Sequence, residues 1–407
     1  MTASSVHKSE VLIVGGGPTG LVLACLLAFR GVDVAVLERR IHPREYSRAI
    51  GLHPPALAVL HEIGVEATAL AEGVRVHAGS AYSGGRRLGT LTFEQAWPSR
   101  PFVLTLPQNR TEQLLSHRLA QLAPGTVHSG WEVTDIVDGT ESVQVTARAA
   151  DVQSHWHTDI VIGADGPHSL VRRRSGITTR ARMLKDTYLM GDFSDYSAVA
   201  SAAHQNEATA AIFLESSGVV ESFPLPGQMR RWVAHTGTEL MTESPQALTG
   251  LIADRTGATV DPTTSTMISA FHIRRRLALR MAIGRRVIIG DAAHEVSPIG
   301  GQGMTLGWLD AWEVAPLLTQ VLVDKRSTPL QQHPGFRAFE TKRIAAARAT
   351  ALQAELNMAL GRPMPQAATV LRDAALKTVL ATSMRDRLAK AFTMRKPLGG
   401  METQVPD

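Results

Sequence analysis

Hydrophobic and polar positions along this chain repeat one local design three times. Residues 10–14 form a short unbroken apolar run that breaks into Gly15-Gly16-Gly17-Pro18-Thr19-Gly20. Such a run predicts a strand buried on both faces. The apolar pattern resumes and predicts a helix over 18–30, stopped by Gly31. Residues 33–37 predict a second strand, with Glu38 at its end. The design returns at 159–163, which leads into Ala164-Asp165-Gly166 with Ser169 and Arg172 on a following helix. It returns again at 287–290, which ends in Asp291 before a loop with Pro298, Gly300, Gly301 and Gly303 and another helix. Between these stretches, residues 209–215, 219–223 and 230–235 alternate or run apolar around a turn at 224–227. They predict an antiparallel sheet, to which strands from 75–100 are added. From about Phe336 the pattern is helical and alanine-rich as far as Gly361-Arg362-Pro363, and a second helix is predicted from about Gln366 to Phe392.

The first glycines carry a specific chemistry. Gly15, Gly17 and Gly20 fit GxGxxG, in which the first permits a tight turn, the second lets a pyrophosphate approach the backbone, and the third lets helix pack on strand. Pro18 and Thr19 open the helix, whose N-terminal amides point at the phosphates. Glu38 stands about 20 residues on, where a carboxylate accepts ribose hydroxyls. Strand, turn, helix, strand and acid in this order predict a dinucleotide site; FAD and NAD both remain open at this stretch.

Composition narrows the class. The 407 residues are 44% hydrophobic and 19% charged, as in ordinary globular proteins. The net charge is +5, carried mostly by arginine, which suits phosphate ligands. No lysine-rich arm or aromatic-interleaved basic patch points to nucleic acid. Residues 21–29 are too few to cross a bilayer, and no membrane span is expected. The single cysteine, Cys25, excludes an internal disulfide and fits a reducing, cytoplasmic setting. It lies in the apolar helix, where a packing role is expected. No metal ligands stand out.

Taken in order, the glycine motif with Glu38, the segment SRAIGLHPPALAVLHEIGV (47–65), PQNRTEQLL (107–115), the stretch around Asp165 and the stretch around Asp291 resemble the group A flavoprotein monooxygenases. That family has the fold of para-hydroxybenzoate hydroxylase and includes the aromatic polyketide hydroxylases. The resemblance implies an α/β fold: a Rossmann-type FAD-binding domain, an interleaved, mainly antiparallel β-sheet substrate domain, and C-terminal helices. The expected boundaries are 1–75, 97–180 and 271–345 for the first, 76–96 and 181–270 for the second, and 346–407 for the third. It further implies roles for individual residues. Glu38 would bind the adenosine ribose, Arg48 the pyrophosphate, and Gln108 the ribityl chain or phosphates. Asp165 would hold a turn that serves both FAD and the nicotinamide cofactor, and Asp291 would accept a ribityl hydroxyl. The loop from Pro298 through Gly301 to Gly303, with Met304 and Thr305, would face the flavin ring. Thr305 departs from the family, which usually has Asn there. Trp308 and Trp312 on the next helix are bulkier than usual and belong either to the core or to the edge of the flavin pocket.

The implied reaction consumes NADPH or NADH and oxygen. Hydride reduces FAD, and the reduced flavin with oxygen gives a C4a-hydroperoxide that attacks an electron-rich ring. Arg39, Arg40 and Arg44 are candidates for a 2′-phosphate. His235, His272 and His294 lie near the expected cavity, and His294, three residues after Asp291, is the candidate for proton handling. Phe213, Glu221, Phe223 and Trp232, with Pro298, are candidates for facing the substrate, although half of any strand faces away. The substrate class implied is an aromatic small molecule of polyketide or antibiotic biosynthesis. A reductase or dehydrogenase of the same superfamily, an epoxidase, a Baeyer–Villiger enzyme and a non-catalytic flavin scaffold are the alternatives. A halogenase would need a WxWxIP segment, which the chain lacks.

Overall fold

The structure, a computed structural model, describes residues 6–42, 49–195, 208–324 and 329–395. The first sheet has at its centre the parallel strands that the three repeats predict, with antiparallel strands added at 282–283 and in a hairpin. Its strands lie in the order Ala282–Ile283, Arg286–Ile288, Val152–Gly163, Val6–Val14, Val34–Glu38 and Val127–Ser129, and the hairpin of Glu132–Asp138 and Val143–Ala149 is attached along Val152–Gly163. The helix Pro18–Phe29 covers this sheet and is buried almost all round. That explains its uniformly apolar sequence: it packs on the strands on one side and on the helices Gln108–Leu122 and Gly303–Val323 on the other. Cys25 is fully buried here, and burial pushes its thiol up to about 12, so it packs rather than reacts.

The second sheet is a roof. Its order is His294–Glu295, Met267–Ala278, Thr179–Ser194, Met229–Gly237, Gly218–Leu225, Thr209–Glu215, Ala78–Ser83 and Arg86–Thr92. All its pairings are antiparallel except Thr209–Glu215 with Ala78–Ser83. Met267–Ala278 is one continuous strand of this roof, so residues 271–278 belong with it rather than with the nucleotide-binding unit as expected. One face of the roof packs on the helix Pro245–Thr256 through Phe193, Trp232 and Leu248. The other looks toward the parallel sheet.

The predicted C-terminal helices are present, with one difference. Pro334–Gly361 is a single helix, but the stretch after it divides at Thr382 and Ser383 into Gln366–Ala381 and Met384–Phe392. Trp308 belongs to the main core, and the Trp312 indole donates to Glu62; neither borders the cavity described next. Among the described residues no helix is long and apolar enough to cross a membrane.

Candidate functional site

Strand register puts the three turns at one edge. Val14 pairs with both Leu37 and Gly163, and Gly163 pairs with Ile288, so these strands end level. The segments that leave them, 15–17, 164–166 and 289–291, emerge together where strand order reverses, the place where ligands bind in open α/β sheets. The turns touch. A Cβ on Gly15 would lie 2.4 Å from the Ala164 carbonyl oxygen, and one on Gly290 2.9 Å from Thr19 Oγ1. One on Gly307 would lie 2.6 Å from the same hydroxyl. Thr19 is therefore the point where the first helix, the Asp291 turn and the helix from Gly303 meet.

A cavity of about 1530 Å³ lies between this edge and the roof. A pocket for one small molecule holds roughly 300–1,000 Å³, so there is space for more than one. Gly15, Gly17, Pro18, Thr19, Glu38, Arg39, Gln108, Asp165 and Asp291 line it, and so do Pro298, Gly301, Gly303 and Met304. The residues fit a dinucleotide. The helices Pro18–Phe29 and Gly303–Val323 both begin without a side-chain cap, leaving their first amides available to a ligand. Asp165 Oδ2 accepts from the amides of Leu170 (2.6 Å) and Val171 (3.2 Å), while its buried Oδ1 has no partner. Burial raises the Asp165 carboxyl against the pull of these bonds and that of Ser169. Nothing stands within 4 Å of where a Cβ would lie on Gly17 or Gly166, so the backbone is open to approach at both. At Glu38 burial alone would raise the carboxyl. Bonds from the Arg40 side chain and backbone and from the Gly16 amide (2.7 Å) outweigh burial and hold it below the usual carboxylate range.

The FAD-binding domain family matches residues 8–350. This chain belongs to the FAD-binding domain family. FAD is thus the dinucleotide, and the open helix ends suit its phosphates. Among similar proteins is 6-methylpretetramide 4-monooxygenase of Streptomyces rimosus, 32% identical over 326 residues, or 77% of this chain and 56% of that protein. Another is 6-hydroxy-3-succinoylpyridine 3-monooxygenase HspB of Pseudomonas putida, 30% identical over 347 residues, or 79% of this chain and 81% of that one. The chain therefore spans little more than half the length of the first and most of the second. The structure of p-nitrophenol 4-monooxygenase PnpA from Pseudomonas putida superposes with a TM-score of 0.82 over 94% of this chain and 96% of that one, at 20% identity. That likeness establishes the fold.

Several candidates stand elsewhere than expected. Arg48 and Arg44 lie outside the described residues. Gly20 does not border the cavity but packs as the third glycine of the motif is expected to: a Cβ there would lie 2.0 Å from the Gly15 carbonyl oxygen. Thr305 does not face the cavity. The helix begins at Gly303, so the third residue rotates into the core, where the Thr305 hydroxyl is buried without a partner. His294 is buried against Asp310 instead of pointing at the flavin loop. Phe213 and Trp232 face the helix side of the roof, with their rings stacked, whereas Glu221 and Phe223 line the cavity. His235 is tied to Asp186, and only His272 of the three histidines borders the cavity.

Two residues that line the cavity escaped the sequence reading. His53, inside the quoted 47–65 segment, bonds through Nε2 to the Gly300 carbonyl at 3.2 Å. A carbonyl only accepts, so Nε2 carries the proton and Nδ1 is an unpaired acceptor. Burial pushes the ring down to about 4, and it is neutral at physiological pH. Phe392 meets His53 edge-on, and Gln302 donates to the carbonyls of Ala391 and Phe392, so the last helix holds the glycine loop from outside. Apolar patterning marked that helix but could not show where it docks.

Glu221 has a measurable consequence of its own. Burial pushes its carboxyl up to about 7 from 4.5. The fold thus favours its protonated form, a contribution that is full below about pH 4.5 and lost as pH rises through about 7. Glu221→Gln is expected to leave thermal stability unchanged in acid and to raise it above neutrality, by about 3 kcal/mol. Unfolding midpoints that move equally at both ends of the pH range would refute this.

Proposed function

We propose that this chain is an FAD-dependent, NAD(P)H-consuming monooxygenase that hydroxylates an aromatic small molecule. The observation that supports this most is the two-walled cavity: turn tips and open helix ends on one side, and a largely apolar sheet face with Phe223, Met190 and Phe271 on the other. The first wall suits a dinucleotide and the second a flat ring laid against it. Both curated relatives named above are monooxygenases, and the pretetramide named for the first supports a polycyclic phenol as the substrate class.

Bound FAD supplies hydride acceptance and oxygen chemistry. The protein's part is to hold, orient and exclude water. The uncapped amides at the start of the helix Gly303–Val323, reached through the Pro298–Gly301 turn, would stabilise negative charge on a bound flavin, as a helix N-terminus does. Glu38 is ionised and fixed across the first turn by Gly16 and Arg40, and a ribose hydroxyl would take the place of one of these donors. Asp165 and Asp291 border the same cavity. Arg39 is exposed at the rim, whereas the Arg40 guanidinium is engaged by Glu38. Of these two arginines, Arg39 is therefore the candidate for a nicotinamide 2′-phosphate. The roof sheet closes over the reacting ring.

Purified protein is expected to be yellow. NADPH oxidation should accelerate with a polycyclic phenol, and the product should gain one oxygen atom by mass. Oxidation that yields peroxide alone with every phenol in a broad panel counts against hydroxylation.

A further inference from the structure

On the cavity face of the roof, register lines up Ile212, Glu221, Val233, Met190 and Ser269 as one row across five strands. Glu221 is the one ionisable residue in that row. Its neighbours across the strands are Ile212 and Val233, the residue is 8% exposed, and its carboxyl borders the cavity without a hydrogen bond or ion pair among the described residues. The charges around it are committed elsewhere. Arg231, on the next strand, forks onto Asp192 at 2.6 and 2.7 Å. His235 and Arg362 both bond to Asp186. The Tyr188 hydroxyl, on the strand beyond, is buried without a partner. A carboxyl left alone in an apolar row is a costly feature unless a ligand group completes it.

We infer that Glu221 selects the substrate: it accepts a hydrogen bond from a neutral, hydroxyl-bearing ring and excludes rings that carry a carboxylate of their own at that end. This rests on the monooxygenase reading for the reaction but not for the binding. An ionised carboxylate accepts from a phenolic hydroxyl, and charge-assisted bonds of this kind are the strong ones. A second carboxylate in the same low-dielectric corner meets like-charge repulsion. The carboxyl's rise to about 7 places the change between acceptor and neutral acid within the working range.

The test uses flavin-loaded protein and two polycyclic probes, the dihydroxyanthraquinone danthron and its carboxylated analogue rhein. Dissociation constants are read from the perturbation of flavin absorbance on either side of about pH 7. Above that pH, the native protein is expected to bind danthron about 10-fold or more tighter than rhein. Its danthron affinity should fall as pH drops. Glu221→Gln should bring the two constants to within about threefold, chiefly by improving rhein, and should flatten the pH dependence. An unchanged ratio in the variant, equal binding of both probes by native protein, or no binding of either overturns the assignment. If danthron binds in the expected pattern but neither speeds NADPH oxidation nor gains oxygen, the monooxygenase reading fails and the role of Glu221 stands.

Discussion

Gly20→Ala is expected to give a colourless protein with markedly reduced stability. In an ordinary helix, replacing glycine by alanine stabilises by about 1 kcal/mol. Here the added carbon would lie 2.0 Å from the Gly15 carbonyl oxygen and 3.4 Å from the Ala164 side chain, and the nearer neighbour is backbone. The helix Pro18–Phe29 can escape only by lifting off the sheet, which separates the first turn from the second. Gly15→Ala meets the second turn directly, 2.4 Å from the Ala164 oxygen at a φ of +108°. Each substitution should cost more than about 3 kcal/mol, the range of overpacked or strained sites. Gly17→Ala is the informative contrast. Its Cβ would meet no protein atom within 4 Å, so unfolding should stay near native while flavin retention falls, because the methyl group occupies the approach of the pyrophosphate. Visible absorbance and thermal unfolding, measured on all three, separate packing from ligand access. Native flavin content in Gly20→Ala, or equal destabilisation in Gly17→Ala, contradicts the account.

The contrast among these glycines also shows what the sequence could say. Glycine spacing, apolar runs and the acids that end them were enough to place the three turns, because a parallel strand buried on both faces leaves an unambiguous pattern. The roof was legible only as strands. Which of Phe213 and Glu221 faces the cavity depends on the hairpin between them. Glu215 pairs with Gly218, so the loop is Ser216-Ser217, and Phe213 must then pair with Val220 and share its face. The following loop has three residues, from Leu225 to Met229, which sets Trp232 opposite Ser222 and Val233 opposite Glu221. Ser-Ser is not a strong two-residue turn signal, so the parity was open. His53 was hidden differently. It precedes the helix Pro54–Glu62, and nothing local says that the glycine loop almost 250 positions later folds onto its ring. His294 was misjudged for the opposite reason: closeness to Asp291 in sequence suggested the flavin, and a tertiary partner claimed it.

That partner gives the second large effect. Asp310→Ala is expected to destabilise the protein by about 3–5 kcal/mol, the range for removing one member of a buried ion pair. Asp310 is fully buried and serves three donors: the Gly290 amide (2.9 Å) and His294 Nε2 on one oxygen, and Arg343 Nε (2.7 Å) on the other. Arg343 also reaches the Leu306 carbonyl and Glu313. Four parts of the chain are thus locked together: the Asp291 turn, the strand with His294, the helix Gly303–Val323 and the helix Pro334–Gly361. Burial alone would raise the Asp310 carboxyl, but His294 and Arg343 together outweigh it and hold it below its ordinary 3.8. Its contribution is therefore complete above about pH 4 and is lost as acid titrates the folded carboxylate. Asp310→Ala should show a shallower acid unfolding limb than native protein. Flavin affinity should fall with stability, since the Gly290 amide that sets Asp291 loses its acceptor. A double variant, Asp310→Leu with Arg343→Met, removes both charges and should recover the part of the loss that comes from an orphaned Arg343, but not the part that comes from the Gly290 amide and His294, which still lack their acceptor. His294→Gln separates this reading from an acid–base role. A positioning histidine lowers unfolding temperature and flavin retention together and leaves the pH profile of turnover in place, whereas a proton-transfer group moves that profile in protein that remains stable and yellow.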